Sequence, residues 1–88
     1  MAVVKVDTND SENLVFVTGD FNSITANKRA MRLLKDNSVF TIKDNCIEFE
    51  VGEDLNKCIN RIQMAAKYAL CEVELQTNAN SGIQAYYQ

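Results

Sequence analysis

Four carboxylates alternate with apolar residues in two short stretches: Glu48 and Glu50 in Ile47-Glu48-Phe49-Glu50-Val51, and Glu72 and Glu74 in Glu72-Val73-Glu74-Leu75. Carboxylates set this close could act as general acid and base or bind a divalent cation. Acid–base work needs a perturbed pKa, because only burial or a close charge moves a carboxyl far from its ordinary value. The period-two alternation instead turns each acid to the wet side of a strand. These four residues read as a solvated acidic sheet face, which also discourages edge-to-edge aggregation and offers a docking surface for a basic protein.

The other chemistry-bearing residue types are sparse. Histidine is absent, which removes the commonest general base and a common metal ligand. Cys46, Cys58 and Cys71 form an odd set without the C-x-x-C pairing of a zinc site. With apolar neighbours, they read as small buried hydrophobes in a reducing compartment. Gly19-Asp20 and Gly52-Glu53 stand where strands give way to helices, the place a phosphate loop would occupy. An acid directly after the glycine repels an anion and suits a helix start. No G-x-S-x-G or glycine-rich phosphate motif is present. The sequence therefore predicts a non-enzymatic chain with no cofactor and no metal.

Charge is divided unevenly. Seven of the nine basic residues, Lys28, Arg29, Arg32, Lys35, Lys57, Arg61 and Lys67, fall in two segments with helical periodicity. On a helical wheel they lie opposite the apolar stripe, and Met64 and Tyr68 accompany the second set. The acids gather in strands, turns and helix starts. Although the net charge is −3, the folded domain is expected to be basic on its helical layer and acidic on its open sheet face. A basic layer can contact phosphates, and apolar Met64 and Tyr68 on a charged face favour contact with a partner.

The elements that must position these residues follow from pattern and punctuation. Val3–Asp7 reads as a first strand at a sheet edge, and Leu14–Thr18 as a second, stopped by Gly19. A single helix then opens near Gly19–Ser23, with Asp20 or Asn22 as its cap; Ile24, Ala26, Ala30, Met31 and Leu34 share its apolar side. Val39–Lys43 and Cys46–Val51 form a second hairpin. Leu55, Ile59, Ile62, Ala66 and Ala69 define the buried stripe of a second helix, and Cys71–Gln76 is a last strand with Val73 and Leu75 inward. The order is ββα-ββα-β, an α+β fold with two helices on one face of a mainly antiparallel sheet. An offset of 33 aligns Leu14, Phe16 and Gly19 with Ile47, Phe49 and Gly52, and Phe40 and Ile42 with Val73 and Leu75, although the helix faces match better at about 35, so the architecture repeats more plainly than the sequence.

The chain of 88 residues makes one domain, placed at residues 1–76, with 77–88 as a tail or linker stub. Such a chain buries roughly 60–65% of the surface it exposes when unfolded. The start of the chain is unlike a signal peptide, and no apolar run reaches about 18 residues, so a cytoplasmic location without membrane contact is expected.

The stretch Ala26 to Leu75, "ANKRAMRLLKDNSVFTIKDNCIEFEVGEDLNKCINRIQMAAKYALCEVEL", runs helix, hairpin, amphipathic helix, strand. It resembles the HARP-like accessory domains that precede the motor of annealing and branch-migrating DNA helicases, phage ones included. Phe49 stands where such domains often carry a tryptophan on the strand. The resemblance covers a little over half the chain, rests on pattern rather than an invariant motif, and implies a helicase-associated DNA-binding module using the basic helix residues. The alternative is a small regulatory or inhibitor protein, phage-encoded or otherwise, that binds a protein partner through its acidic sheet face; no small-molecule substrate is expected.

Overall fold

The computed structural model describes residues 2–9, 12–51 and 54–76. Five strands and three helices follow in the order β1 (Val3–Asn9), β2 (Leu14–Gly19), α1 (Asn22–Thr25), α2 (Lys28–Asn37), β3 (Val39–Ile42), β4 (Ile47–Glu50), α3 (Leu55–Tyr68) and β5 (Glu72–Gln76). The strands form one sheet in the order β3-β4-β2-β1-β5. All neighbours are antiparallel except β1 and β5, which run parallel. The fold is a two-layer α+β arrangement, and the expected tail at 77–88 lies outside the described residues.

Alternation decides which side of each strand faces the helices. Val4, Val6, Val15, Val17, Ile47 and Phe49 are fully or almost fully buried. Cross-strand register places them in rows, with Val15 beside Phe49 and Val17 between Val6 and Ile47. Val73 and Leu75 extend the same face beside Val4 and Val6. Ile24, Ala30, Leu34, Ile62, Ala65 and Ala66 close the core from the helical side. No described residue covers the opposite sheet face.

Three local expectations are corrected. The first helix is two: α1 ends at Thr25, Ala26 is exposed, and Asn27 begins α2 by accepting a hydrogen bond from the Ala30 amide at 2.9 Å. An asparagine in extended conformation is a strong helix start, so the chain turns there instead of continuing. Asp20 caps no helix; its carboxylate accepts the Val3 amide at 2.9 Å and its own amide donates to the Val3 carbonyl at 2.9 Å, tying the β2 end to the β1 start. The first strand is not an edge, because β5 pairs along its outer side after the α3 crossover. The later helix is capped one residue beyond the Gly52-Glu53 pair, with the Asp54 side chain accepting from the Asn56 and Lys57 amides.

The alignment at an offset of 33 holds for Phe40 and Ile42 with Val73 and Leu75, which all face the helices, but fails for β2 and β4. Leu14 and Phe16 stand opposite Glu50 and Glu48 on the uncovered face, whereas Ile47 and Phe49 point into the core. A slip of one residue turns a strand over, so Val15 and Val17 are the positions that correspond to Ile47 and Phe49.

Candidate functional site

Helices α2 and α3 lie side by side and antiparallel, fixed at both ends by side-chain bonds to backbone. At one end the Asn27 amide nitrogen donates to the Tyr68 carbonyl at 3.1 Å. Further along, the Arg61 guanidinium donates to the Asn37 carbonyl at 2.7 Å, satisfying the open C-terminal turn of α2. These contacts hold the cationic side chains on one continuous outer surface.

On that surface Lys28, Arg29, Arg32 and Lys35 of α2 and Lys57 and Lys67 of α3 are exposed. Arg61 is half-buried and partly committed to its helix-end bond, so it contributes less free charge than its position on the wheel suggested. Together α2 and α3 carry seven of the chain's nine cations and one of its twelve carboxylates, Asp36. Among the described residues the only ion pair is Lys43 with Glu48, at 2.6 Å on the β3–β4 hairpin. Among the described residues no carboxylate therefore forms an ion pair with the helical layer. Hydrogen bonding and charge attraction from Glu48 raise the Lys43 pKa above its ordinary value.

The apolar residues expected on this face are exposed as well, Met64 by 49% and Tyr68 by 41%. The Arg29 guanidinium sits 5.6 Å from the Tyr68 ring centroid, a cation–π contact that joins the two helices. Leu70 escaped the sequence reading: it is 82% exposed and has φ of +60°, the left-handed conformation that closes α3. There the Cys71 amide reaches back to the Ala66 carbonyl at 2.8 Å. A glycine would announce such a helix end; leucine gives no signal.

The four candidate acids share the uncovered sheet face but not one cluster. Glu48 and Glu50 lie on β4, Glu72 and Glu74 on β5, with β2 and β1 between them, a separation of about 14 Å at ordinary strand spacing. The intervening surface holds Leu14, Phe16, Lys5 and Asp7, so the face mixes apolar residues with charge at its centre and carries the four candidate acids at its flanks. Glu48 is engaged by Lys43 rather than free. Among the described residues no group of three His, Cys, Asp or Glu side chains is placed to hold a metal ion. Cys46 and Cys58 are buried and Cys71 is half-buried, and burial pushes the Cys58 thiol above its ordinary pKa.

An open cleft of about 510 Å³ lies where α2 ends and α3 begins. Its cations Lys35, Lys57 and Arg61 are interleaved with Asp36, Glu50 and Asp54, so it has no single sign of charge. The Asp54 carboxylate already takes two of the amides at the α3 start. Among the described residues no helix is long and apolar enough to cross a membrane. What the fold and its surface define is a two-layer α+β domain with a cationic helical layer. No family model, no curated protein and no solved structure matches the chain.

Proposed function

We propose that this domain is a non-enzymatic nucleic-acid-binding module that contacts phosphates through its α2–α3 surface. One observation carries the reading: seven cations and a single carboxylate lie on two antiparallel helices, and no ion pair among the described residues offsets them. Phosphate contact supplies sequence-independent affinity, and lysine and arginine on a helix face are suited to it. Tyr68 and Met64 add apolar area within the same surface, where a base or sugar can pack. The chain's net charge of −3 does not oppose this, since the acids lie mainly on the other layer and in turns. The resemblance of Ala26–Leu75 to HARP-like domains supports the narrower form, an accessory module of a DNA-remodelling motor.

Binding to single-stranded, forked and duplex DNA, followed by fluorescence anisotropy at low salt, tests the reading. The paired reversal Arg29→Glu with Arg32→Glu is expected to weaken binding about a hundredfold, roughly 1.4 kcal/mol per reversed charge. Glu48→Lys with Glu50→Lys should leave affinity unchanged or raise it. The reverse ranking assigns the wrong layer, and absence of binding at about 50 mM salt rejects the function.

A second reading is a regulatory protein that docks a basic partner on its uncovered sheet face. The exposed acids Glu50, Glu72 and Glu74 around the half-exposed Leu14 and Phe16 support it, because a polar rim around an apolar centre is the ordinary anatomy of an interface. Capture of one stoichiometric protein, insensitive to nuclease and abolished by Phe16→Lys, would favour this reading over the first.

A further inference from the structure

The two edges of the sheet differ in character. β5 presents the exposed acids Glu72 and Glu74, whereas β3 is the uncharged run Val39-Phe40-Thr41-Ile42. Val39 is 62% and Ile42 50% exposed, and no described strand pairs with the outer side of β3. The Lys43 amide donates to the Cys46 carbonyl at 2.8 Å. Antiparallel pairs alternate between bonded and non-bonded positions, so Val39 and Thr41 turn their backbone groups to β4. Phe40 and Ile42 therefore direct N–H and C=O to the free edge. Uncharged, β-rich edges of this kind accept another strand.

We propose that the β3 edge is a homodimer interface, in which β3 of a second copy pairs antiparallel about a twofold axis at Thr41. The pairing is self-complementary. It sets Phe40 against the partner's Ile42 and Ile42 against the partner's Phe40, and these are the positions whose backbone groups face outward. Phe40 and Ile42 also lie on the helix side of the sheet, beside Phe49 and Ile47. Each half-exposed Ile42 therefore covers the partner's Phe40 and carries the core across the junction. On the uncovered face Thr41 meets the partner's Thr41, a favourable cross-strand pair.

Charge leaves this edge open to a second copy: Val39 falls opposite the partner's Lys43, whose charge is already paired with Glu48 of its own hairpin. Self-pairing of β5 would instead set Glu72 and Glu74 against their own kind. The axis is perpendicular to the sheet and keeps both helical layers on one side. Because α2 contacts β3 and α3 contacts β5, the α2 helices become inner neighbours. This inference stands on the edge geometry alone and does not depend on nucleic-acid binding.

Sedimentation equilibrium of the full chain over a wide concentration range tests the proposal. A contact built on so short a strand belongs at the small end of specific interfaces, below about 1,200 Å² in total, so reversible dimerisation in the micromolar range or weaker is expected. Ile42→Lys places a charge on the edge, and Ile42→Pro removes an amide that bonds only in the dimer. Each is expected to weaken association about tenfold or more with an unchanged circular dichroism spectrum. Glu74→Ala, on the other edge, should have no effect. Thr41→Cys should cross-link under mild oxidation, giving a reducible band of doubled mass on a gel. Three results would each overturn the proposal: a monomer up to millimolar concentration, a dimer that Ile42→Lys leaves intact, or a dimer that Thr41→Cys cannot cross-link.

Discussion

Gly19 holds φ at +74°, and a β-carbon there would stand 2.7 Å from the Val3 carbonyl oxygen, which the Asp20 amide already uses. Alanine at this position meets both the backbone penalty and the collision, so Gly19→Ala is expected to cost about 2 kcal/mol or more in urea denaturation. Leu70 is the opposite case. It pays the left-handed penalty while 82% exposed, so folding gains little from it. Leu70→Gly should stabilise the domain by about 0.5–1 kcal/mol, and a lowered denaturation midpoint would contradict this. Cys58 links stability to pH. Its folded pKa is raised above the ordinary 9.0 because burial disfavours the thiolate, with Arg61 opposing weakly. The unfolded thiol ionises first, so this contribution is complete below pH 9.0 and is lost as pH rises through the folded value. Cys58→Ala should flatten that alkaline decline relative to the parent protein.

Asn27 does two jobs at the element scale: it accepts the Ala30 amide and donates to the Tyr68 carbonyl. Asn27→Ala should therefore lower stability by about 1–2 kcal/mol, and Asn27→Ser should recover part of it by restoring the cap alone. A chemical-denaturation series checks both. The same residue shows where sequence reading stops. The apolar spacing of Ile24, Ala30 and Leu34 fits one continuous helix, and only the cap geometry at Asn27 reveals two. The stripe Leu55-Ile59-Ile62-Ala66 needed no such correction, since Asp54 starts α3 and no internal residue competes with it. Strand alternation at Ile47 and Phe49 was legible because acids separate the apolar residues. In Leu14-Val15-Phe16-Val17 every residue is apolar, so pattern alone does not say which pair faces the core. The parallel placement of β5 beside β1 depends on long-range pairing that no local pattern encodes. The basic surface was legible as a wheel pattern, whereas the Arg61 bond to Asn37 spans 24 residues of sequence and the left-handed turn that exposes Leu70 has no glycine to mark it.

At the scale of the whole molecule, one core serves both layers. Phe49 is fully buried at its centre and packs on Phe40 with ring centroids 5.3 Å apart. Phe49→Ala should cost about 3–5 kcal/mol, a large share of the roughly 5–15 kcal/mol typical of a domain. Loss of a cooperative thermal transition near the parent's midpoint is the expected result. That core holds the cationic helices on one side and most strand carboxylates on the other, and this separation is the basis of the proposed function. The salt dependence of duplex DNA binding tests it most directly. If four to six of the helical cations contact phosphates, log K should fall against log salt with a slope of about −3.5 to −5.5. Arg29→Glu with Arg32→Glu should reduce that slope by about two. A slope near zero, or one unchanged by the double reversal, would contradict a phosphate-binding role for the α2–α3 surface.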